Sequence, residues 1–387
     1  MLINNVHIIN EAENLSQIEI KDSRVIAVRP QKLMKSDGLN GTTIDFAGAI
    51  AFPGLINSHD HLEFNLFPQL RNKIYTDYVE WGDDIHEKNS EEIENIKKIP
   101  YDLRFKWGLY KNLICGITTV AHHGKGQVFR YNNLPDIITG YNYLHSIRLE
   151  NHWKLKLNSS FTGKPFVIHV GEGIHDESRK EINDLLNWNL FRKKIIAVHG
   201  ISLDERQSSK FKALVWCPDS NLNLYGKTAN IPVLKSHTEI LFGTDSTVSA
   251  NWNFWQQIRS AREINYLNDY ELYKSITGSA SDVWRLNSKG SISANKTADI
   301  VISKKRSNDE WDSFFNTNPE DILLILKNGK IIFLDEELPG SDKLIDKKEF
   351  ELIFINSVNK FIIKGASELI NSIRLYLPQY EFPFEIV

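Results

Sequence analysis

The chain has 387 residues, a net charge of −3, 41% hydrophobic and 25% charged residues. That near-balance excludes the concentrated positive face that a nucleic-acid binder or a basic membrane-surface protein needs. Phe46 to Ile56, the longest apolar run, contains two glycines and a proline and is far shorter than the ~20 residues that cross a bilayer. Composition and length suit a globular protein with a large core.

Met1-Leu-Ile-Asn-Asn has neither the basic stretch nor the apolar core of a secretory signal. Cys115 and Cys217 are the only cysteines, so a disulfide framework is excluded and both read as reduced core thiols. A cytoplasmic location is the expectation.

From Met1 to about Ile50 the apolar residues alternate or fall in short runs, with Asp22-Ser23-Arg24 as a turn between two of them. The far end answers with Ala298-Asp-Ile-Val-Ile, Ile322-Leu-Leu-Ile-Leu and Lys330-Ile-Ile-Phe-Leu. Asn328-Gly329 between the last two is a hairpin signal, because both residues accept positive φ. Residues 1–52 and 288–338 are therefore expected to pair into one small β-sandwich domain.

Between them, Ala49–Asn57, Ile117–Ala121, Phe166–Val170, Ile195–Val198, Ala213–Trp216 and Glu239–Phe242 recur as short apolar runs separated by helix-length segments. That rhythm predicts βα units, and polar residues at the strands' C-terminal ends favour a (β/α)8 TIM-like barrel over residues 53–287. For one further strand, Tyr141–Ile147 and Lys154–Leu157 compete. Beyond Leu338, the spacing of Phe350, Ile353, Val358, Phe361, Ile362, Leu369, Ile370 and Ile373 approximates a helical stripe, so 339–387 reads as a helical extension docked on the barrel.

Four strand ends carry chemistry. In Asn57-Ser-His59-Asp60-His61, strand alternation turns His59 and His61 to one face and Asp60 to the other. Two such imidazoles form a chelating pair for zinc or iron. Phe166-Val-Ile-His169-Val-Gly-Glu172 ends in a third imidazole, and Glu172 follows across a glycine that lets the backbone turn back. A half-buried carboxyl there has its pKa raised and can carry protons; by itself it reads equally as a loop residue or helix-cap acid. Ile195-Ile-Ala-Val-His199 is a further strand ending in His, and Gly243-Thr-Asp245 offers a ligand, a general base or a helix cap.

These motifs, with Pro53-Gly-Leu-Ile, Gly116-Ile-Thr-Thr-Val, Cys217-Pro-Asp-Ser-Asn-Leu and Gly290…Ala298-Asp-Ile-Val-Ile, resemble the amidohydrolase superfamily from Met1 to about Leu334. The likeness is to the mononuclear deaminase-like branch, with cytosine, guanine and adenosine deaminases and triazine hydrolases. It implies that His59, His61, His169 and Asp245 hold one divalent metal ion, zinc first and iron second. Glu172, His199 and Asp245 then act in catalysis, with His199 either moving protons or approaching the metal directly. The implied activity is hydrolysis of a C–N bond, deaminating an amino-substituted heterocycle by attack of metal-activated hydroxide. Amide or other leaving-group hydrolysis at the same metal is the enzyme alternative, and a metal-binding barrel without turnover is the alternative of another class.

The binuclear branch needs a bridging lysine. Lys164 lies five residues before His169, about 16 Å toward the wrong end of the barrel; Lys154 and Lys156 stay open. Weaker candidates for substrate contact are Glu63, which shares the face of His61, and His122 or His123, one of which is expected to face the substrate. Asn221 reads as a turn residue, and Trp81, Trp252 and Trp255 as core. The implied partner is a small molecule, with no nucleic acid and no membrane, and the resemblance suggests a homodimer.

Overall fold

The computed structural model describes residues 1–11, 15–31, 42–124, 126–159 and 162–387. Among these, four strands open the chain: β1 (Leu2–Ile8), β2 (Ser16–Lys21), β3 (Arg24–Pro30) and β4 (Thr43–Pro53). Eight shorter ones follow: β5 (Leu55–Asp60), β6 (Ile117–His122), β7 (Asp136–Ile137), β8 (Asn142–Tyr143), β9 (Phe166–Val170), β10 (Ile195–His199), β11 (Ala213–Trp216) and β12 (Glu239–Phe242). Six more close it: β13 (Ile300–Ser303), β14 (Ile322–Lys327), β15 (Lys330–Asp335), β16 (Phe350–Ile355), β17 (Val358–Ile363) and β18 (Glu385–Ile386).

Both chain ends build one sheet in the order β18-β16-β17-β15-β14-β13-β4-β1-β2-β3. Its seam is β4, parallel to β1 on one side and antiparallel to β13 on the other, with Ile302 opposite Ala51 and Ile300 opposite Pro53. The turns predicted from sequence are present: Asp22 has φ +54°, and Asn328 and Gly329 have φ +51° and +73°. The stretch expected as a helical stripe is different. Phe350–Ile355 and Val358–Ile363 form a hairpin extending this sheet, and only Ala366–Arg374 is helical. The reason is local: Asn356 and Ser357 take φ +42° and +71°, a two-residue hairpin turn that breaks any helical run.

The eight middle strands lie in chain order in two parallel sheets, β5-β6-β7 and β12-β11-β10-β9-β8. Registers such as His169 opposite Val198, and Val198 opposite Val215, bring the C-terminal ends of β9, β10 and β11 level. At one junction the Asp245 amide donates to the His59 carbonyl at 3.1 Å. Gly243 permits that approach, since a Cβ there would lie 2.7 Å from the His59 Cβ. At the other junction only residues 138–141 separate β7 from β8, fewer than the dozen that a crossover between paired parallel strands takes. One nearly continuous run therefore fills the third and fourth positions, pairing first with β6 and then with β9. β8 falls within the candidate Tyr141–Ile147, whereas Lys154–Leu157 lies in a helix, Trp153–Ser159. Ile56, Ala121, Val167, Val198, Val215 and Leu241 fill the interior.

The connection after β5 is long and caps the C-terminal rim. It holds α1 (Tyr78–Lys88), α2 (Ser90–Lys97) and then α3 (Tyr101–Leu113). Asp77 caps α1 by accepting from the amides of Val79 and Glu80 at 2.9 and 3.0 Å, which satisfies two of the orphan donors of a helix start. Gly108 of α3 lies against the Leu62 backbone so closely that a side chain would collide with it.

Candidate active site

His59, His61, His169, His199 and Asp245 converge at the rim, all buried. His59 Nε2 and His169 Nε2 are 3.2 Å apart, close to the edge of about 3.3 Å that two nitrogens span around a tetrahedral ion with bonds of ~2.0–2.1 Å. Asp245 Oδ1 lies 3.9 Å from His59 Nε2 and 3.8 Å from His61 Nε2. Donor atoms of His59, His199 and Asp245 all fall within 4.8 Å of one another.

The electrostatics suit a cation. Burial and neighbouring imidazoles hold His59 and His169 well below the usual histidine range, so their lone pairs stay available. Burial lowers His61 too, while Asp245 and Asp60 pull the other way. Burial works to raise Asp245, but His61, His199, Ser220 and the Ser246 amide outweigh it and keep the group anionic. These donors fit a divalent transition metal. His199 and Asp245 stand at φ +69° and +57°, a strained conformation for residues with a Cβ and one found at functional sites.

Asp60, between the two histidines, points out of the barrel as strand alternation requires. It accepts from Asn65 and Asn112 at 2.8 Å each and lies 3.0 Å from Lys111 Nζ. That network fixes the strand end carrying His59 and His61.

Gly171, at φ +57°, turns the chain back so that Glu172 faces the cluster. Its Oε2 is 3.7 Å from His199 Nε2, and its Oε1 accepts from the Tyr225 hydroxyl at 2.7 Å. Burial raises the Glu172 pKa, with His199 and Tyr225 partly offsetting it. His199 Nδ1 lies 2.8 Å from Asn221 Oδ1, whose amide nitrogen donates to Thr228 Oγ1 at 3.1 Å. Since Oδ1 only accepts, His199 Nδ1 is the donor, which leaves Nε2 as the ring nitrogen facing the site. Ser220 Oγ donates to Asp245 Oδ2 at 2.8 Å. The single helix Pro218–Tyr225 thus supplies all three contacts, with Asn221 and Tyr225 one turn apart on one face. The expectation that Asn221 merely shapes a turn is corrected.

A cavity of about 270 Å³ opens above this cluster, with His61, His145, His169, Glu172, His199 and Asp245 at its floor. The weaker candidates divide. His123 joins the cluster: its ring lies 4.4 Å from that of His169 and 5.0 Å from that of His59, and neither nitrogen has a hydrogen-bond partner. Like His123, Glu63 and His122 are outside the cavity lining; His122 Nδ1 and Glu63 Oε2 are 3.7 Å apart, and the His122 ring packs on Phe105. Burial lifts Glu63 to about 7 and lowers His122 to about 3.

His145 on the floor was not foreseen, although Asn142-Tyr-Leu-His145 repeats the pattern of a strand running into a histidine. Trp81, expected as core, lines the cavity wall instead. Lys154 and Lys156 sit on an outer helix, with Lys156 paired to Glu150, and Lys164 is exposed. None of these lysines reaches the cluster.

The model of the Amidohydrolase family matches residues 152–332. A 5-methylthioadenosine/S-adenosylhomocysteine deaminase of Caldanaerobacter subterraneus subsp. tengcongensis is 23% identical over 224 residues, 52% of this chain. The match spans about half (49%) of that relative's length. A zinc-bound adenosine deaminase from Xanthomonas campestris superposes with a TM-score of 0.71 at 15% identity, covering 98% of both chains. The zinc-bound atrazine chlorohydrolase of Arthrobacter aurescens gives 0.65 at 15% identity, covering 86% of this chain and 94% of its own. A guanine deaminase from C. acetobutylicum with guanine in its active site gives 0.62 at 15%, covering 85% and 99%. The sheet built from both ends, the parallel barrel strands and the histidines at their rim agree with that match, and the fold is the one these structures share.

Proposed function

We propose that this chain is a metal-dependent hydrolase of C–N bonds that deaminates an amino-substituted heterocycle. One observation carries the reading: the buried Glu172 carboxyl, raised in pKa, stands 3.7 Å from His199 beside the ligand cluster. A metal kept for structure alone has no use for a proton carrier there. The deaminases among the similar proteins support the same reading.

His59, His61, His169 and Asp245 would hold one divalent ion, zinc in preference to iron. Such an ion supplies hydroxide at neutral pH, because it lowers the pKa of water from 15.7 toward about 7. Ser220 and Ser249 donate to Asp245 Oδ2 and the Ser246 amide to Oδ1; Oδ1, the oxygen nearer the imidazoles, would orient or accept the proton released. His199, whose Nε2 stands 3.7 Å from Glu172 Oε2, shares that task. Glu172 holds its proton until a ring nitrogen of the substrate needs it, relieving negative charge in the tetrahedral intermediate. The proton taken up by the departing amine is then the one that Asp245 or His199 accepted from water.

The test is ammonia release from aminated purines, pyrimidines, pterins and triazines, with metal counted by elemental analysis. Glu172→Gln should keep about one equivalent of metal and lose at least about a hundredfold in turnover. Full activity in that variant, or two equivalents of metal in the active protein, would reject the mechanism.

A further inference from the structure

The cavity above the cluster has two unlike halves. Its floor is polar, whereas its wall is built by Phe64, Phe67, Leu70, Trp81, Ile85 and Ile93, all from the one connection after β5. The aromatic residues with polar handles turn them away. Trp81 Nε1 donates to the Leu70 carbonyl at 2.8 Å, and the Tyr78 hydroxyl donates to Glu181 Oε2 at 3.1 Å. His86 and Lys97 also line the cavity but are exposed, at its mouth. Between floor and mouth, among the described residues, this wall offers an incoming ligand no carboxylate or amide side chain.

From this we infer that the substrate is an aminated heterocycle bearing an uncharged apolar substituent, alkyl or aryl, and not a ribosyl or phosphoribosyl group. The inference rests on the proposed deamination for the identity of the ring, but the choice of substituent rests on the wall alone. The ring and its amino group belong at the floor, where Glu172, Asp245 and the histidines provide polar contacts. Ser246 lines the same cavity beside Asp245. The substituent then points along the wall. Sugar hydroxyls in that position would lose water without gaining partners, which disfavours them. Methylene groups gain from leaving water.

A series with one ring and one leaving group tests this: adenine carrying methyl, ethyl, propyl or butyl at N9, against adenosine. With zinc-loaded protein, kcat/KM for ammonia release should rise about fourfold per methylene until the chain fills the cavity, and adenosine should fall below the ethyl compound. Adenosine equal to or better than the butyl compound overturns the inference. If no member releases ammonia, the deamination reading fails for this ring, and calorimetric binding of the same series decides the substituent. Affinity rising with chain length upholds the apolar wall as the determinant; a flat or falling series, or no binding, overturns it.

Discussion

The Tyr225 hydroxyl donates a 2.7 Å hydrogen bond to Glu172 Oε1. This bond favours the carboxylate, so Tyr225 restrains the upward push that burial gives Glu172. Tyr225→Phe removes the restraint and should move the Glu172 pKa further up. Because the proposed reaction uses Glu172 with its proton on, the alkaline limb of the pH–rate profile should shift to higher pH. A profile that keeps the wild-type alkaline limb would contradict the assignment of Glu172 as the acid.

Asn221 acts through His199. Asn221→Ala deletes the acceptor at Nδ1 and frees the imidazole to flip or change tautomer. The expected loss is about ten- to a hundredfold, in kcat rather than KM, with metal content unchanged. Asn221→Asp restores an acceptor and should recover part of the rate. Equal losses in both variants would point to a folding defect instead.

His59 is shared by the donor pairs with His169 and Asp245. Removing it in His59→Ala should leave the purified protein with metal near zero and no ammonia release. Chelator treatment of the wild type should give the same loss, reversed by added zinc. Elemental analysis that finds metal undiminished in His59→Ala would move the ion elsewhere, His123 being the imidazole nearest to hand.

Glu63 makes stability depend on pH. Burial lifts its folded pKa to about 7 from an ordinary 4.5, so between those values the folded protein holds a proton that the unfolded chain has released. Stability from this group is therefore present below pH ~4.5 and lost as pH rises to about 7, a loss of at most about 3 kcal/mol. Glu63→Gln should be more stable than wild type at pH 8 and little different at pH 5. Urea denaturation at the two pH values checks this, and a difference independent of pH would show that Glu63 stays charged in the fold.

The cluster was legible because its members share a one-dimensional signal: an apolar run that fills the barrel interior and then ends in His or Asp. His59, His169, His199 and Asp245 all read that way. His145 carries the same signal more faintly, since its strand is short and follows β7 after only four residues. Asn221 and Tyr225 carried none, because their roles depend on how the helix Pro218–Tyr225 is set against β9 and β10. Glu63 shows the converse, being two residues from the ligand His61 yet outside the cavity lining. At Phe350–Ile363 the apolar spacing fitted a period of two as well as one of 3.6, and the Asn356-Ser357 turn decided between them.

The β4–β13 seam has a consequence for biosynthesis. Chain elongation delivers β4 early and β13 some 250 residues later, after the whole barrel has emerged. Through that interval the β4 edge stays open in the nascent molecule, a template for mispairing with a neighbouring copy. Assembly of this protein is therefore bound to finish late, and chaperone dependence should be greatest for ribosome-bound intermediates stalled just short of Ile300.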